Sequence, residues 1–139
     1  MKKYLIYILL LGLIGAVFGF YMYNKPHKNI KNSKVDFTME ANQLFAVFEE
    51  NEQEANTKYL DKIIEVTGTV RSVDAAEKGN ISVILESEND MSGVICQLDN
   101  LTSPKRTNFS SGEKVTFKGI CTGMLMDVVM VRCVEVEKK

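Results

Sequence analysis

The spacing of apolar and polar positions changes three times along the chain, and each change marks a different element. Between Lys3 and Lys25 no residue is charged. Residues 4–23 approach the roughly 20 apolar residues that cross a ~30 Å hydrocarbon core as a helix. Tyr4 and Tyr7 lie toward one end of this stretch and Tyr21 and Tyr23 toward the other, where amphipathic rings favour the headgroup level. After Thr38, read as an N-cap, Ala41, Leu44, Phe45 and Phe48 fall at the i, i+3, i+4, i+7 positions of an amphipathic helix. Asn51 and Glu54 then repeat a capping-box spacing, and Ala55 and Tyr59 carry the apolar face into a second helical piece.

From Lys62 the period becomes two. Ile64, Val66, Gly68 and Val70 alternate with Glu65, Thr67, Thr69 and Arg71, which predicts a half-buried strand with a bulge or bend at Gly68. A turn is expected over 74–80. Ile81, Val83 and Leu85 predict a second strand and Val94, Cys96 and Leu98 a third, paired as a hairpin. A long polar stretch over 99–112, with Pro104, precedes a fourth strand carrying Val115, Phe117, Gly119 and Cys121. The fifth is expected over 128–136, after a turn at 123–127. Five short strands, a long connection between the third and fourth, and a glycine that curls the first predict a mainly β fold, a five-stranded OB-fold barrel preceded by an amphipathic helix and an N-terminal transmembrane helix.

The expected organisation is an anchor over 1–24, a basic juxtamembrane linker over 25–37, and a helix plus barrel over 38–139. A cleaved signal peptide is the rival for the first segment, but it wants a shorter apolar region of about 7 to 15 residues and a small-residue cleavage site. The residues around Gly15 and Ala16 offer that site feebly. The uncleaved anchor is therefore preferred, with the bilayer as partner through residues 4–23. Positive charge flanks the span on both sides, so charge leaves orientation open. By analogy with an uncut secretory signal, the domain is placed outside the cytoplasm, on the outer side of the inner membrane.

The chain is nearly neutral overall, but six lysines precede Asp36 and the remainder holds 11 Lys and Arg against 18 Asp and Glu, a net −7. Nonspecific nucleic-acid binding rests mainly on neutralising phosphates with Lys and Arg, so nucleic acid is not the expected partner. OB-folds that bind single strands also use aromatic platforms. The outward positions of the second and third strands, Ser82, Ile84, Glu86, Ile95 and Gln97, contain none. Lys114, Lys118, Arg71 and Arg132 are read as scattered charge ahead of a basic patch.

Catalytic chemistry has little to stand on. The single histidine, His27, falls in the linker, so acid/base pairs, Cys-His dyads and histidine-zinc sites lack a centre. Glu49, Glu50, Glu52 and Glu54 read as a solvated face, and only composition pairs Asp127 with Glu65. No catalytic residue, cofactor or metal is expected. The candidate binding face is Thr67, Thr69, Arg71 and Lys118. Cys121 and Cys133 lie 12 residues apart across a turn, so a symmetric hairpin places them opposite one another, within reach of a disulfide in an oxidising compartment. Three small buried apolar residues is the equal alternative. Cys96 would then be a core residue. Asn80, Asn100 and Asn108 start Asn-x-Ser/Thr triplets, which matter only in a glycosylating host.

Several of these segments resemble the tRNA_anti-like OB-fold proteins of bacteria. The resemblance is carried by Asn51, Glu52, Ala55 and Tyr59, by residues 62–70 and 94–96, by 112–119 running into 121–123, and by Asp127, Val128 and Val129. It implies an OB-fold behind a helix, often following an N-terminal anchor or signal, and it implies no activity. The expected function is an envelope binding module without enzymatic activity, its partner a protein or an oligosaccharide. Two alternatives stand beside it, an assembly protein using the helix at 39–59 for partner contact and a single-strand nucleic-acid binder facing the cytoplasm.

Overall fold

The computed structural model describes residues 2–24, 29–75, 79–102 and 106–137. Linker residues 25–28, with Pro26 and His27, the middle of the expected turn at 74–80, Pro104 and the last two lysines lie outside the described residues. Helix α1 (Lys2–Tyr23) is apolar on every face. All of its described side chains are exposed, and Ile6–Tyr23 is long and apolar enough to cross a membrane.

Beyond α1 come β1 (Phe37–Glu40), α2 (Ala41–Glu50), α3 (Glu52–Tyr59), β2 (Ile63–Ala75), β3 (Ile81–Glu86), β4 (Gly93–Leu98), β5 (Lys114–Met124) and β6 (Val128–Glu135). The sheet order is β1-β2-β3-β4-β6-β5, and β5 returns to β2, so β2 to β6 form a closed five-stranded barrel. The two ends of the chain's strand series meet because β2 is long enough to serve two neighbours. Ile63 to Thr69 face β5 and Val70 to Ala75 face β3. Parallel pairing of β4 with β6 completes the seam.

Gly68 lies just before the change of neighbour on β2, and the bulge that the sequence predicted at Gly68 falls instead between Val70 and Ser72, in the pairing with β3. A Cβ there would lie 2.8 Å from the Ala41 Cβ and 3.3 Å from Leu85, so glycine is required for close approach of α2. Alternation along the strands turns Val66, Val70, Val83, Leu85, Val94, Phe117, Val128 and Met130 inward. Leu44, Phe45 and Phe48 of α2 join this core, which is why the predicted amphipathic stripe is buried against the barrel. Asn51 ends α2 and caps α3, its Oδ1 accepting from the Glu54 N–H at 3.2 Å and its Nδ2 donating to the Glu54 carboxylate at 3.3 Å.

Two expectations at the N-terminal side are corrected. Thr38 is not the cap of α2. Phe37–Glu40 instead runs as a sixth strand parallel to β2, with Phe37 and Met39 half-buried, and Glu40 precedes the helix with its N–H donating to Gln43 Oε1 at 3.3 Å. The folded part also begins before residue 38. Ile30 is fully buried, Lys118 Nζ donates to the carbonyls of Lys31 (2.8 Å) and Ser33 (3.1 Å), and Asp36 exchanges two hydrogen bonds with the backbone of Ile63. Residues 29–36 are therefore a strap on the barrel, because Ile30 gains more by burial than a polar tether could.

Candidate functional site

Three segments converge where α2 begins. Residues 40–42, the stretch of β2 at 67–69 and the end of β3 at 86–88 line a cleft of about 230 Å³. The close packing of Gly68 on Ala41 brings the first segment over the second, and β3 supplies the third as the neighbour of β2 beyond the bend. Thr67 is nearly buried and its hydroxyl shares a 2.9 Å hydrogen bond with Thr116 Oγ1. Ser87 Oγ donates to the Ser92 carbonyl at 2.6 Å. Thr69, Asn42 and the exposed carboxylates of Glu40, Glu86 and Glu88 are left to face solvent, and among the described residues no lysine or arginine lines the cleft. Such a wall attracts cations and repels phosphate. Among the described residues, no three His, Cys, Asp or Glu side chains converge as metal ligands would.

The turn beside this cleft is braced. Arg71 Nη2 donates to the Asn89 carbonyl at 2.9 Å, and the Gly93 N–H donates to Asp127 Oδ1 at 2.7 Å, tying the β3–β4 turn to the β5–β6 turn. Met91, Leu125 and Met126 stand exposed on these two turns. A second groove of about 380 Å³ lies along the elbow between α2 and α3, lined by Val47, Glu50, Asn51, Glu54, Ala55 and Lys58.

Of the four residues expected to form the binding face, the structure brings together only Thr67 and Thr69. Arg71 holds the neighbouring turn, and Lys118 is engaged by the strap on the other side of β5. Arg132 does not share a patch with them. It turns toward Asp99, with Nη2 3.6 Å from Oδ2, at a backbone φ of 55°. Asp127 serves its turn, whereas Glu65 sits on β2 opposite Lys118, so they form no carboxylate pair. Glu40 and Glu88 were not foreseen as site residues; only their exposed polar character was visible, shared with many others.

The symmetric hairpin that would set Cys121 against Cys133 is also corrected. The turn is centred on Met126, with Met124 opposite Val128, and a register shift between Met124 and Cys121 then sets Cys121 opposite Met130. All three cysteines are buried free thiols, and burial pushes the Cys121 and Cys133 thiols up. In the long connection, Arg106 bridges Glu113 and Glu135, at 2.6 Å each, and stacks 4.4 Å over Phe109. Its guanidinium, hydrogen-bonded to Glu113, holds that carboxyl below its ordinary range.

With this geometry in place, the chain can be set beside known proteins. The sequence matches the tRNA_anti-like family over residues 1–135. No curated protein matches it. Among solved structures it is similar to a lipoprotein from Klebsiella pneumoniae subsp. pneumoniae MGH 78578 whose name proposes nucleic-acid binding. That match has a TM-score of 0.59 and 15% identity, over 72% of this chain and 92% of the other. At that identity the likeness speaks for the barrel fold alone.

Proposed function

This chain belongs to the tRNA_anti-like family, and from that premise we propose that it is a membrane-anchored OB-type binding module of the bacterial envelope, whose acidic cleft takes a cationic segment of a partner protein. The observation that carries this reading is the cleft wall. Glu40, Glu86 and Glu88 stand with Thr69 and Asn42 around an open concavity to which no described residue brings a cation. A lysine or arginine side chain entering there gains charge-assisted hydrogen bonds to carboxylates. The exposed Met91, Leu125 and Met126 on the adjoining braced turns give such a partner apolar contact that can adapt to its shape. The absence of a histidine from the folded part favours recognition over turnover.

Envelope location is supported by the length and full exposure of α1 and by the lipoprotein nature of the Klebsiella neighbour. That neighbour's name also supports a second reading, single-strand nucleic-acid binding. The net charge of −7 from Asp36 onward and the carboxylate wall oppose it, since phosphate contacts are what make such binding strong. An oligosaccharide is the third candidate, suited by the hydroxyl, amide and carboxylate lining.

Photo-crosslinking in cells separates the three. A crosslinking amino acid at Thr69 of the full chain is expected to capture a protein, and Glu86→Gln with Glu88→Gln to weaken the capture severalfold. Capture of nucleic acid or glycan instead refutes the reading. A reporter fused to the C-terminus reads the compartment in the same strain.

A further inference from the structure

We infer that the strap is a docking surface for the anionic headgroups of the bilayer that holds α1, and that it draws one pole of the barrel down to the lipid. The inference rests on the anchor reading proposed above. Lysines fall at 25, 28, 31 and 34, every third residue, and all 18 acidic residues of the chain lie from Asp36 onward. The first 35 residues therefore carry six lysines and no carboxylate, against the net −7 beyond them.

The conformation of the strap puts its lysines on one side. Ile30–Asn32 is a single 3-10 turn, and Ser33 beyond it is extended at φ −74° and ψ 149°. The 3-10 helix and the polyproline conformation both repeat every three residues, so Lys31 and Lys34 share one side while Ile30 and Ser33 share another. Burial follows that division: Ile30 is fully buried and Ser33 half-buried, whereas Lys31 and Lys34 are exposed. The contacts that fix the strap do not use these two ammonium groups. Lys118 Nζ holds the backbone carbonyls of Lys31 and Ser33, and the nearest acid in sequence, Asp36, directs its carboxylate to the Ile63 N–H at 2.9 Å.

An anionic surface attracts ammonium groups over about one screening length, roughly 8–10 Å in ordinary salt. Lys25 follows Asn24, the residue after α1, and Lys28 precedes Asn29 at the start of the strap, so the row begins at the headgroups and runs onto the folded domain. The same field repels the acidic barrel, Glu40, Glu86 and Glu88 of the cleft included. Attraction is thus confined to the strap. A soluble polyanion offers similar charge, but only the bilayer is kept beside these lysines by the chain itself, at the high effective concentration that tethering gives.

The test uses the full chain in vesicles of phosphatidylcholine, alone or mixed three to one with phosphatidylglycerol, each holding a lipid with a nitroxide on its headgroup. The protein has no tryptophan, so Asn32→Trp, exposed on the strap, and Met126→Trp, exposed on the β5–β6 turn, each report one place. Phosphatidylglycerol should raise quenching at position 32 about twofold and leave position 126 unchanged. Salt at about 1 M, where the screening length is ~3 Å, should abolish the rise. Lys25→Gln, Lys28→Gln, Lys31→Gln and Lys34→Gln together should abolish it without lowering Tm, because backbone carbonyls and Ile30 hold the strap. A rise that survives these four substitutions, an equal rise at position 126, or a single-stranded oligonucleotide that frees the strap from phosphatidylglycerol at micromolar concentration overturns the inference. Flotation reads the anchor separately. A chain that fails to float with either vesicle removes the anchor reading and this inference together, whereas a chain that floats and shows equal quenching in both lipids removes the inference alone.

Discussion

Replacing Gly68 with alanine tests how the cleft is built. Glycine at an ordinary strand position usually costs stability, and alanine there would gain about 0.4–1 kcal/mol by restricting the unfolded chain. Here the new Cβ would meet Ala41 Cβ at 2.8 Å and two Leu85 atoms at 3.3 Å. The nearest atom is attached directly to the first residue of α2, so it cannot swing aside without moving the helix that carries Leu44, Phe45 and Phe48 into the core. Overpacking of this kind costs about 1–3 kcal/mol, and a contact this short belongs near the upper end, leaving a net loss of about 2 kcal/mol. Ala41→Gly removes the obstructing atom at a cost of about 1 kcal/mol in helix propensity. The double variant should then lose about 1 kcal/mol, far less than the sum of the singles, a coupling of about 2 kcal/mol. Urea unfolding of the four proteins in the same detergent, followed by circular dichroism, measures this from the midpoints. A Gly68→Ala protein as stable as the parent, or losses that simply add, would refute the close-approach account of the bend.

Ile30→Ala should loosen the strap, costing about 2–4 kcal/mol if the strap unfolds with the barrel; limited proteolysis should then find new cleavage within residues 29–36. Arg132→Gly should be about 1 kcal/mol less damaging than Arg132→Ala, since both lose the contact to Asp99 but only glycine is at ease at φ 55°; parallel thermal melts compare them. Glu113 has its folded pKa depressed by Arg106. Its contribution is present above the unfolded value and is lost as pH falls through the folded one. Glu113→Gln should therefore flatten the acid limb of stability against pH, and added salt should mimic part of that change because the pair is solvent-exposed.

The barrel strands were legible because an alternating side-chain pattern survives in a single sequence: Ile64, Val66 and Val70, then Val83 and Leu85, then Val94 and Cys96, all point into the core. Strand β1 was not legible, since four residues hold only two periods and its pairing with β2 is remote in sequence. Ile30 likewise gave no signal as one apolar residue among lysines and asparagines. The cysteine register failed for a different reason. The symmetric count centres the turn on Asp127, whereas Met124 pairs with Val128 about Met126, and a shift between Met124 and Cys121 moves the partner once more. The site suffered most, because Glu40, Thr69 and Glu88 meet through the bend of β2 and the start of α2. Glu86 could be assigned to the outer face by alternation; its neighbours across the cleft could not.

The strap also limits where the cleft can be. If α1 is lodged in a bilayer as proposed, only residues 25–28 separate Asn24, the residue after its end at Tyr23, from Asn29, whose carbonyl accepts from the Ser33 hydroxyl at 2.8 Å at the start of the strap. Five extended residues reach at most about 18 Å, so the barrel stays close to the headgroups. Residues 31–33 lie beside Lys118, while Asp36 pairs with Ile63, which sits opposite Ile120 on β5. The chain thus passes along β5 toward the end of the barrel that carries the β5–β6 turn before it doubles back into β1. Leu125 and Met126 on that turn, and Met91 tied to it through Gly93 and Asp127, therefore lie beyond the strap's own hold on β5 at Lys118.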